Sequence, residues 1–478
     1  MTVLMPDFIP AAAEIFLMSA ICVVLLIDAF LPTKQRRVTY WLAILAIAGT
    51  AACSSYFSVS ESVTAFSGSF VADPAGYVLK MFAYLLVALM FVYSRDYLIR
   101  AGLFKGEFFI LGLFGLLGIM VMISANSLLT LYLGLEILSL SLYALVAFNR
   151  ESPTAAEAAM KYFVLGAIAS GTLLYGISIL YGVAGTVQLD ELATHFSAPD
   201  ALNVAALLGL AFIIVGVAFK FGAVPFHMWL PDVYQGAPAP VTLFIGTAPK
   251  IAAFALTWRV LAEGLGDLHG SWQGVLAVLS VLSLGVGNVI AIAQTNLKRM
   301  LAYSTISHVG FILMGFVAGT RAGLAAAMFY TLIYALSAAA AFGMIILLSR
   351  KGFEAEKLED FKGLNARSPW FAFMMLMVMF SMAGVPPFVG FYAKLVILGS
   401  VIDAGLIWLA ITGISFAVVG AFYYLRVVWY MYFVEPEADR PLQADLDVRL
   451  AVSGNALALL VLGLLPGGLL ALCARVLA

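Results

Sequence analysis

Two stretches of this chain place prolines inside long apolar segments, and these two stretches decide the fold. The first reads FKFGAVPFHMWLPD over residues 219–232, and the second reads SMAGVPPFVGFYAK over residues 381–394. Proline removes a backbone donor, and its ring clashes with the preceding helical turn. Each stretch therefore predicts a helix that is interrupted in its middle. A lysine lies close to each interruption, Lys220 before the first and Lys394 after the second.

The surrounding sequence is too apolar for a water-soluble protein. Of the 478 residues, 64% are hydrophobic and 11% are charged, and the mean hydropathy is +1.06. A soluble domain has roughly 25% charged residues, whereas an apolar run of about 20 residues crosses a bilayer as a helix. We predict an all-α polytopic membrane protein with 14 transmembrane helices. These spans 1 to 14 are residues 8–30, 39–58, 76–94, 108–125, 127–148, 158–182, 202–235, 240–262, 274–293, 302–319, 323–349, 370–400, 404–433 and 449–473.

Composition also excludes several function classes. The net charge of −1 gives no reason to expect nucleic acid as a partner. Cys22, Cys53 and Cys473 stand singly in apolar runs, and their spacing fits neither a metal site nor an iron–sulfur cluster. We therefore expect no metal, cofactor or redox centre in this chain. The residues before span 1 lack a basic segment and a small-residue cleavage site, so we expect span 1 to be retained.

The loops between spans show a strong asymmetry of basic residues. The odd-numbered loops hold 16 of the 25 lysines and arginines, namely Lys34, Arg36, Arg37, Arg95, Arg100, Lys105, Arg150, Lys298, Arg299, Arg350, Lys351, Lys357, Lys362, Arg367, Arg440 and Arg449. The even-numbered loops and the C-terminus hold Arg321 and Arg475, with Arg259 near a span end. Loops 2 and 6 are acidic, with Glu61, Asp73, Asp190, Glu191 and Asp200. Basic residues accumulate on the cytoplasmic side, so we expect both termini on the periplasmic side.

The two interrupted spans, 7 and 12, are five apart, which predicts a repeat. Spans 4–8 and 9–13 form two units of five, and because five is odd the second unit enters the membrane from the opposite side. Inverted repeats with discontinuous helices are typical of transporters. We therefore predict four regions: 1–107 with spans 1–3, 108–262 with the first five-helix repeat, 263–433 with the second, inverted repeat, and 434–478 with span 14.

Four ionisable residues are predicted at membrane depth: Glu136 in span 5, Lys220 in span 7, Lys250 in span 8 and Lys394 in span 12. Each costs at least about 2.5–3.5 kcal/mol to place at the bilayer centre. One buried salt bridge with two lysines reaching the interface would be a structural explanation, but the depth of these residues and the excess of lysines argue against it. We favour a proton relay, because burial disfavours a charged lysine and a nearby carboxylate favours it.

His308 in span 10 occupies the repeat position of span 5, and imidazole can shuttle protons near neutral pH. We interpret it as a link between the two halves, although a lone buried histidine is often only structural. His227, beside Pro225, is open to either interpretation. We expect Lys80 to reach the outer interface and Glu14 to lie near that interface, and we expect Asp232 to anchor the inner end of span 7.

The motifs around these residues resemble a known family. Residues 220–240 resemble the proton-conducting membrane family shared by antiporter-like subunits of respiratory complex I, multisubunit cation/proton antiporters and membrane-bound hydrogenases. Three stretches are similar to the subunit N family of bacterial NADH–quinone oxidoreductase: YQGAP at 234–238, TAPKIAAF at 247–254 and NLKRMLAYSTISHVG at 296–310. Lys394 stands where the sister subunit M is expected to carry glutamate, and no long lateral helix of the kind expected in subunit L follows span 14.

The resemblance implies a 14-span membrane-arm subunit of complex I, with Glu136, Lys220, Lys250 and Lys394 matching the family's proton-channel residues. It implies that NADH, FMN, iron–sulfur clusters and quinone belong to the assembled complex. It also implies sister antiporter-like subunits, small transmembrane subunits and the lipid bilayer as partners, in a bacterial inner membrane. Two alternatives are a subunit of a multisubunit cation/proton antiporter and a structural spacer. Lys250 next to Pro249, together with the GAP motif at 236–238, argues against the first alternative, and the central charges argue against the second.

Overall fold

The computed structural model describes residues 7–32, 35–198, 201–350, 353–436 and 445–477. Residues 1–6, together with Lys34, Asp200, Lys351 and Arg440, entered the predictions above and lie outside the described residues.

Helices dominate the described residues. The first half of the chain contains α1 Ala12–Phe30, α2 Arg37–Tyr56, α3 Pro74–Ala101, α4 Gly106–Ile123, α5 Leu128–Val146, α6 Pro153–Ala184, α7 Leu189–Phe196, α8 Val204–Phe221, α9 Trp229–Gly236, α10 Ala239–Gly246 and α11 Ala248–Thr257. The second half contains α12 His269–Ala293, α13 Leu297–Val317, α14 Arg321–Leu348, α15 Leu364–Arg367, α16 Pro369–Ala383, α17 Val389–Asp403, α18 Ile407–Phe433, α19 Leu446–Leu464 and α20 Gly467–Val476. A short hairpin of β1 Val63–Ala65 and β2 Phe70–Ala72 precedes α3.

The membrane spans agree with the sequence prediction. Among the described residues, 13 helical segments are long and apolar enough to cross a membrane. Span 12 is absent from these 13 because it consists of two 15-residue helices, α16 and α17, on either side of its interruption. With span 12 included, the polytopic all-α fold of 14 spans is confirmed.

Both predicted interruptions are confirmed. Helix α8 ends at Phe221, and Gly222 follows with φ of +79°. Helix α16 ends at Ala383, and Gly384 follows with φ of +85°. Glycine adopts this left-handed conformation without a Cβ clash and so ends a helix readily. The prolines that follow then prevent the helix from resuming directly. Spans 7 and 12 are therefore each built from two half-helices.

Two further interruptions were missed by the sequence analysis. Span 8 breaks between α10 and α11 at Thr247, and a π-helical turn, Trp258–Gly264, ends the span. Span 14 breaks between α19 and α20, where Pro466 precedes α20. Both breaks lie next to single prolines, Pro249 and Pro466, inside runs that the hydropathy pattern presents as continuous.

Two helical hairpins pack unusually closely and occupy equivalent places in the two five-span units. In the hairpin of α4 and α5, a Cβ on Gly118 would lie 2.7 Å from the carbonyl oxygen of Gly134. In the hairpin of α12 and α13, a Cβ on Gly287 would lie 2.8 Å from the carbonyl oxygen of Tyr303. Small residues at such crossings let helix backbones approach each other.

The odd-numbered loops meet on one face, which we call the odd-loop face. There Arg36 after span 1 forms an ion pair of 3.1 Å with Glu107 before span 4. The backbone N–H of Leu297 at the start of span 10 donates to the carbonyl oxygen of Glu356 after span 11, at 2.5 Å.

The even-numbered loops meet on the other face, the even-loop face. The N–H of Val71 in loop 2 donates to the carbonyl of Ser124 in loop 4 at 2.8 Å, and Asn126 donates to Asp190 of loop 6 at 2.6 Å. Span 4 thus begins at the odd-loop face and span 9 begins at the even-loop face, as the inverted repeat requires. The region boundaries at residues 107, 262 and 433 stay predictions.

The charge asymmetry of the loops predicts which face is cytoplasmic. Ser197 in loop 6 and Glu151 in loop 5 are both exposed, on the even-loop and odd-loop faces respectively. In intact cells, a cysteine at Ser197 should react with an impermeant thiol reagent, and one at Glu151 only after permeabilisation. The reverse pattern of labelling would contradict the orientation.

Candidate functional site: a buried series of ionisable side chains

The predicted site residues lie on five different helices. Glu136 is on α5, Lys220 on α8, Lys250 on α11, His308 on α13 and Lys394 on α17. The three lysines and His308 are each less than 10% exposed, and Glu136 is half-buried. The helices therefore place these groups inside the protein, away from the loops. An ionised side chain in the protein interior needs a partner.

Lys220 lies against α5, the helix that carries Glu136. Its Nζ donates to the hydroxyl of Ser139 at 3.1 Å, and that hydroxyl donates to the carbonyl oxygen of Leu135 at 2.7 Å. Glu136 and Ser139 are three residues apart and so are neighbours on the helix surface. A cavity of 20 Å³ lined by Lys220, Ser139 and Tyr143 has room for a water molecule beside the ammonium group.

Lys250 uses a carbonyl that the interruption of span 7 leaves free. Its Nζ donates to the carbonyl oxygen of Phe221, the last residue of α8, at 2.7 Å. The last carbonyls of a helix have no intrahelical donor, and they carry the negative end of the helix dipole. The ammonium also lies 5.7 Å from the ring centre of Trp229, within cation–π range.

Lys394 repeats this arrangement in the second five-span unit. Its Nζ donates to the carbonyl oxygens of Ala383 at 2.7 Å and Met382 at 3.1 Å, at the end of α16. It lies 5.4 Å from the ring centre of Phe311. In both units, a lysine ammonium therefore binds the free carbonyl end of a half-helix.

His308 is held by two tyrosines from other helices. Its Nδ1 lies 2.7 Å from the hydroxyl of Tyr330 on α14, and its Nε2 lies 3.0 Å from the hydroxyl of Tyr424 on α18. The Tyr424 hydroxyl in turn lies 2.5 Å from that of Ser304. The Tyr330 ring stacks on Phe311, the aromatic ring that Lys394 approaches. His308 and Lys394 are thus linked through one aromatic pair.

The partners of Lys220, Lys250 and Lys394 distinguish these lysines from another buried cation, Lys298. Within the described residues, Lys220, Lys250 and Lys394 contact neutral oxygens, and no carboxylate lies within 4.0 Å of their ammonium groups. By contrast, buried Lys298 pairs with the carboxylate of Glu354 at 3.2 Å. Neutral partners do not hold a proton on lysine as a carboxylate does, so the three lysines can change protonation state at lower cost.

Sequence reasoning missed the groups that orient these residues. Ser139, Tyr330 and Tyr424 have no distinguishing pattern, because hydroxyl residues are common in apolar helices. The carbonyl of Phe221 could not be identified either, because the sequence predicts an interruption without showing which donor reaches it.

One expectation about the periphery was wrong. Glu14 on α1 and Lys80 on α3 form a buried ion pair of 2.6 Å, and both side chains are less than 10% exposed. Lys80 does not extend outward to water, because the Glu14 carboxylate on the neighbouring helix satisfies its charge. The position of Glu14 near the outer interface stays a prediction. The remaining expectation, for Asp232, is confirmed: it pairs with Arg299 at 2.7 Å and Lys161 at 2.8 Å, which anchors α9 to α13 and α6.

Comparisons with known proteins identify the family. The family described as NADH:quinone oxidoreductase/Mrp antiporter, TM matches residues 125–420. The NADH-quinone oxidoreductase subunit N of Thioalkalivibrio sulfidiphilus is 59% identical over 473 residues, covering 99% of this chain and 98% of the relative. That of Thiobacillus denitrificans is 54% identical over 469 residues, covering 98% and 97%.

The chain belongs to the subunit N family of NADH-quinone oxidoreductases.

Solved structures support the family's fold. A chain of respiratory complex I from Thermus thermophilus is 33% identical, with a TM-score of 0.83 over 97% of this chain and 99% of that chain. A chain of the Mrp complex from Dietzia sp. DQ12-45-1b has a TM-score of 0.85 over 99% and 97%, but its 22% identity shows only the shared fold.

Gly384 leaves room for Lys394, which gives a test of the carbonyl contact. A Cβ at Gly384 would lie 2.9 Å from Cδ and 3.2 Å from Nζ of Lys394, and the left-handed backbone would cost roughly 1–2 kcal/mol. Gly384→Ala should therefore displace the ammonium and lower proton pumping by membrane vesicles. Gly399→Ala on the same helix as Lys394 meets open space and should pump normally. Equal pumping by the two variants would contradict this role of the contact.

Proposed function

We propose that this chain is a proton-translocating, antiporter-like membrane subunit of NADH–quinone oxidoreductase, coupling quinone reduction to proton transfer through Glu136, Lys220, Lys250, His308 and Lys394. The support from relatives is the near-full-length similarity to subunit N. The observation that carries the proposal is that three buried lysines bind neutral oxygens. A buried cation that served only packing would be expected to pair with a carboxylate, as Lys298 does.

Glu136 is the group that adjusts the protonation of Lys220. It lies one turn from Ser139, the hydroxyl that accepts from Lys220, so its carboxylate favours the charged ammonium. If Glu136 is neutralised, or drawn towards a partner subunit, Lys220 loses that support and releases its proton. This gives a local electrostatic way to pass a signal from a neighbouring subunit into the relay.

Lys250 and Lys394 serve as the middle and terminal carriers. Each is held at the end of a half-helix, where the free carbonyls stabilise the ammonium in the absence of a counterion. Such a site can bind a protonated lysine and still accept the neutral amine, because the carbonyls remain uncharged in both states. Water must bridge the intervals between carriers, since the described contacts do not connect the lysines directly.

His308 links the two halves. Its ring nitrogens contact Tyr330 and Tyr424, so one ring can accept a proton at one nitrogen and release it from the other. The two hydroxyls fix the ring plane, and each can donate or accept. The stack of Tyr330 on Phe311 places this pair beside the aromatic face that Lys394 approaches.

The wider setting follows from the same proposal. We infer that the partners are the other membrane-arm subunits of complex I, including sister antiporter-like subunits and small transmembrane subunits, within a bacterial inner membrane. Both termini lie on the periplasmic side. The chain itself holds no cofactor, and NADH, FMN, iron–sulfur clusters and quinone act in other subunits. Purification in mild detergent with flavin- and iron–sulfur-containing subunits tests this setting.

A subunit of a multisubunit cation/proton antiporter is the alternative. The Mrp complex shares the fold, but identity is 22%, against 51–59% with subunit N of several bacteria. Purification with further antiporter subunits, without flavin, would favour the alternative.

Replacement of Glu136 by glutamine tests its control of Lys220. The amide keeps the shape and removes the charge, so NADH-driven proton pumping by membrane vesicles should fall severely, whereas Glu136→Asp should retain a part. Glu359→Gln, at an exposed loop carboxylate, serves as the control and should pump normally. Undiminished pumping in Glu136→Gln would remove Glu136 from the relay.

Replacement of Lys394 separates a carrier from a structural cation. Lys394→Arg keeps a positive charge, but guanidinium does not release its proton, so pumping should fall while the complex still assembles. Lys394→Ala should lower pumping as well. The measurements are the initial rate of acidification of inverted vesicles and the amount of assembled complex on native gels. Normal pumping in the arginine variant would make Lys394 a structural cation.

A further inference from the structure

Arg259 is a basic residue at the even-loop face, where basic residues are few. The odd-loop face carries most of the basic residues, whereas Arg259 lies at the even-loop end of span 8, in the π-helical turn Trp258–Gly264. Its side chain is 2% exposed. Burying a guanidinium in a membrane protein costs free energy. A buried arginine at the face that carries few basic residues therefore requires an explanation.

All three nitrogens of the guanidinium are bonded. Nη2 lies 2.5 Å from the carboxylate of Asp73, and Nη1 lies 3.0 Å and 3.1 Å from the two oxygens of Glu263. Nε donates to the carbonyl oxygen of Ile123 at 3.2 Å. The guanidinium also lies 4.0 Å from the ring centre of Trp258. These contacts join the even-loop ends of α3, α4 and span 8 and fix one geometry for the charge.

The position of Arg259 along span 8 relates it to the relay. Lys250 lies nine residues earlier in the same span, a separation of about 13.5 Å along the axis. Beyond Arg259, a cavity of 620 Å³ opens on the even-loop face, and its lining includes Asp73, Asp190, Glu263 and Arg321 among apolar residues. The guanidinium therefore stands between a buried lysine and a cavity that is open on the even-loop face.

We propose that Arg259 is an electrostatic barrier that prevents protons from passing between Lys250 and the even-loop cavity. A guanidinium cannot release its proton and so cannot relay one, and its positive charge offsets the Asp73 and Glu263 carboxylates that it pairs with. Without that charge, these carboxylates and Asp190 would concentrate protons beside the span that carries Lys250, with Arg321 as the remaining cation in the cavity lining. With this route closed, a proton on Lys250 can continue only along the relay. The inference rests on the proposed function of Lys250 as a carrier.

A purely structural role is the competing explanation, since the same contacts tie three helix ends together. The two explanations differ in what they require. An electrostatic barrier requires the positive charge of Arg259, whichever carboxylate pairs with it. A structural link requires the contacts with the carboxylates, and losing those contacts would loosen the helix ends even if the positive charge remained.

The experiment measures how fast a pH gradient decays across vesicles that contain the whole complex, after NADH is exhausted. Arg259→Met removes the charge, and the decay should become roughly eightfold faster, the effect of one charge about 13.5 Å away at an effective dielectric constant of about 20. Arg259→Gln, which can still donate to Asp73, replaces this variant if the methionine variant does not assemble. Arg259→Lys keeps the charge and should leave the decay unchanged.

Asp73→Asn and Glu263→Gln are the matched controls, because each weakens the tie while the charge stays. Both should lower the thermal stability of the complex and leave the decay slow. Fast decay in the methionine or glutamine variant alone supports the barrier. Slow decay in those variants overturns it, and so does equally fast decay in Asp73→Asn and Glu263→Gln.

Lys250→Ala, combined with Arg259→Met, separates this inference from the proposed function. If the alanine suppresses the fast decay, the leak passes through Lys250, and both proposals are supported. If the decay stays fast, the barrier is supported while Lys250 is excluded as the carrier on this route.

Discussion

A carbonyl left without a donor inside a membrane is the constraint on which this structure depends. Lipid cannot satisfy it at that depth, so a span can be interrupted only where the protein or a water-filled cavity supplies a donor. In spans 7 and 12 the donor is the ammonium of a lysine, Lys250 for Phe221 and Lys394 for Ala383. In these two spans the ammonium satisfies the free carbonyl, and the carbonyl in turn stabilises the buried charge.

This mutual dependence divides the buried cations into two groups. Lys80 and Lys298 pair with carboxylates and hold helices together. Arg259 also pairs with carboxylates and keeps its proton, which the barrier proposed above requires. Lys220 and Lys250, like Lys394, bind neutral oxygens. A carboxylate partner favours the protonated form of the lysine or arginine beside it. A hydroxyl or carbonyl oxygen can accept a hydrogen bond from a lysine both as the ammonium and as the neutral amine. The partner atom thus distinguishes the buried cations that keep their proton from the lysines that can change protonation state.

The sequence predicted most of the fold because hydropathy and proline act locally. The interruption at Pro225 and that at Pro386–Pro387 were evident, since both are combined with glycine and a nearby lysine. The break at Thr247 was missed because Pro249 stands alone in an apolar run. For the candidate site, the ionisable residues could be named from the cost of burying them. Their partners could not, because the Ser139 hydroxyl and the Phe221 carbonyl acquire their roles only when distant helices meet.

The close crossings at Gly118 and Gly287 have a mechanical consequence. Backbones in contact, with no side chain between them, leave no compliant layer that could absorb a sliding or tilting motion. The hairpin of α4 and α5 and that of α12 and α13 therefore behave as stiff struts. Any displacement that accompanies proton transfer must be confined to the half-helices and side chains between the struts.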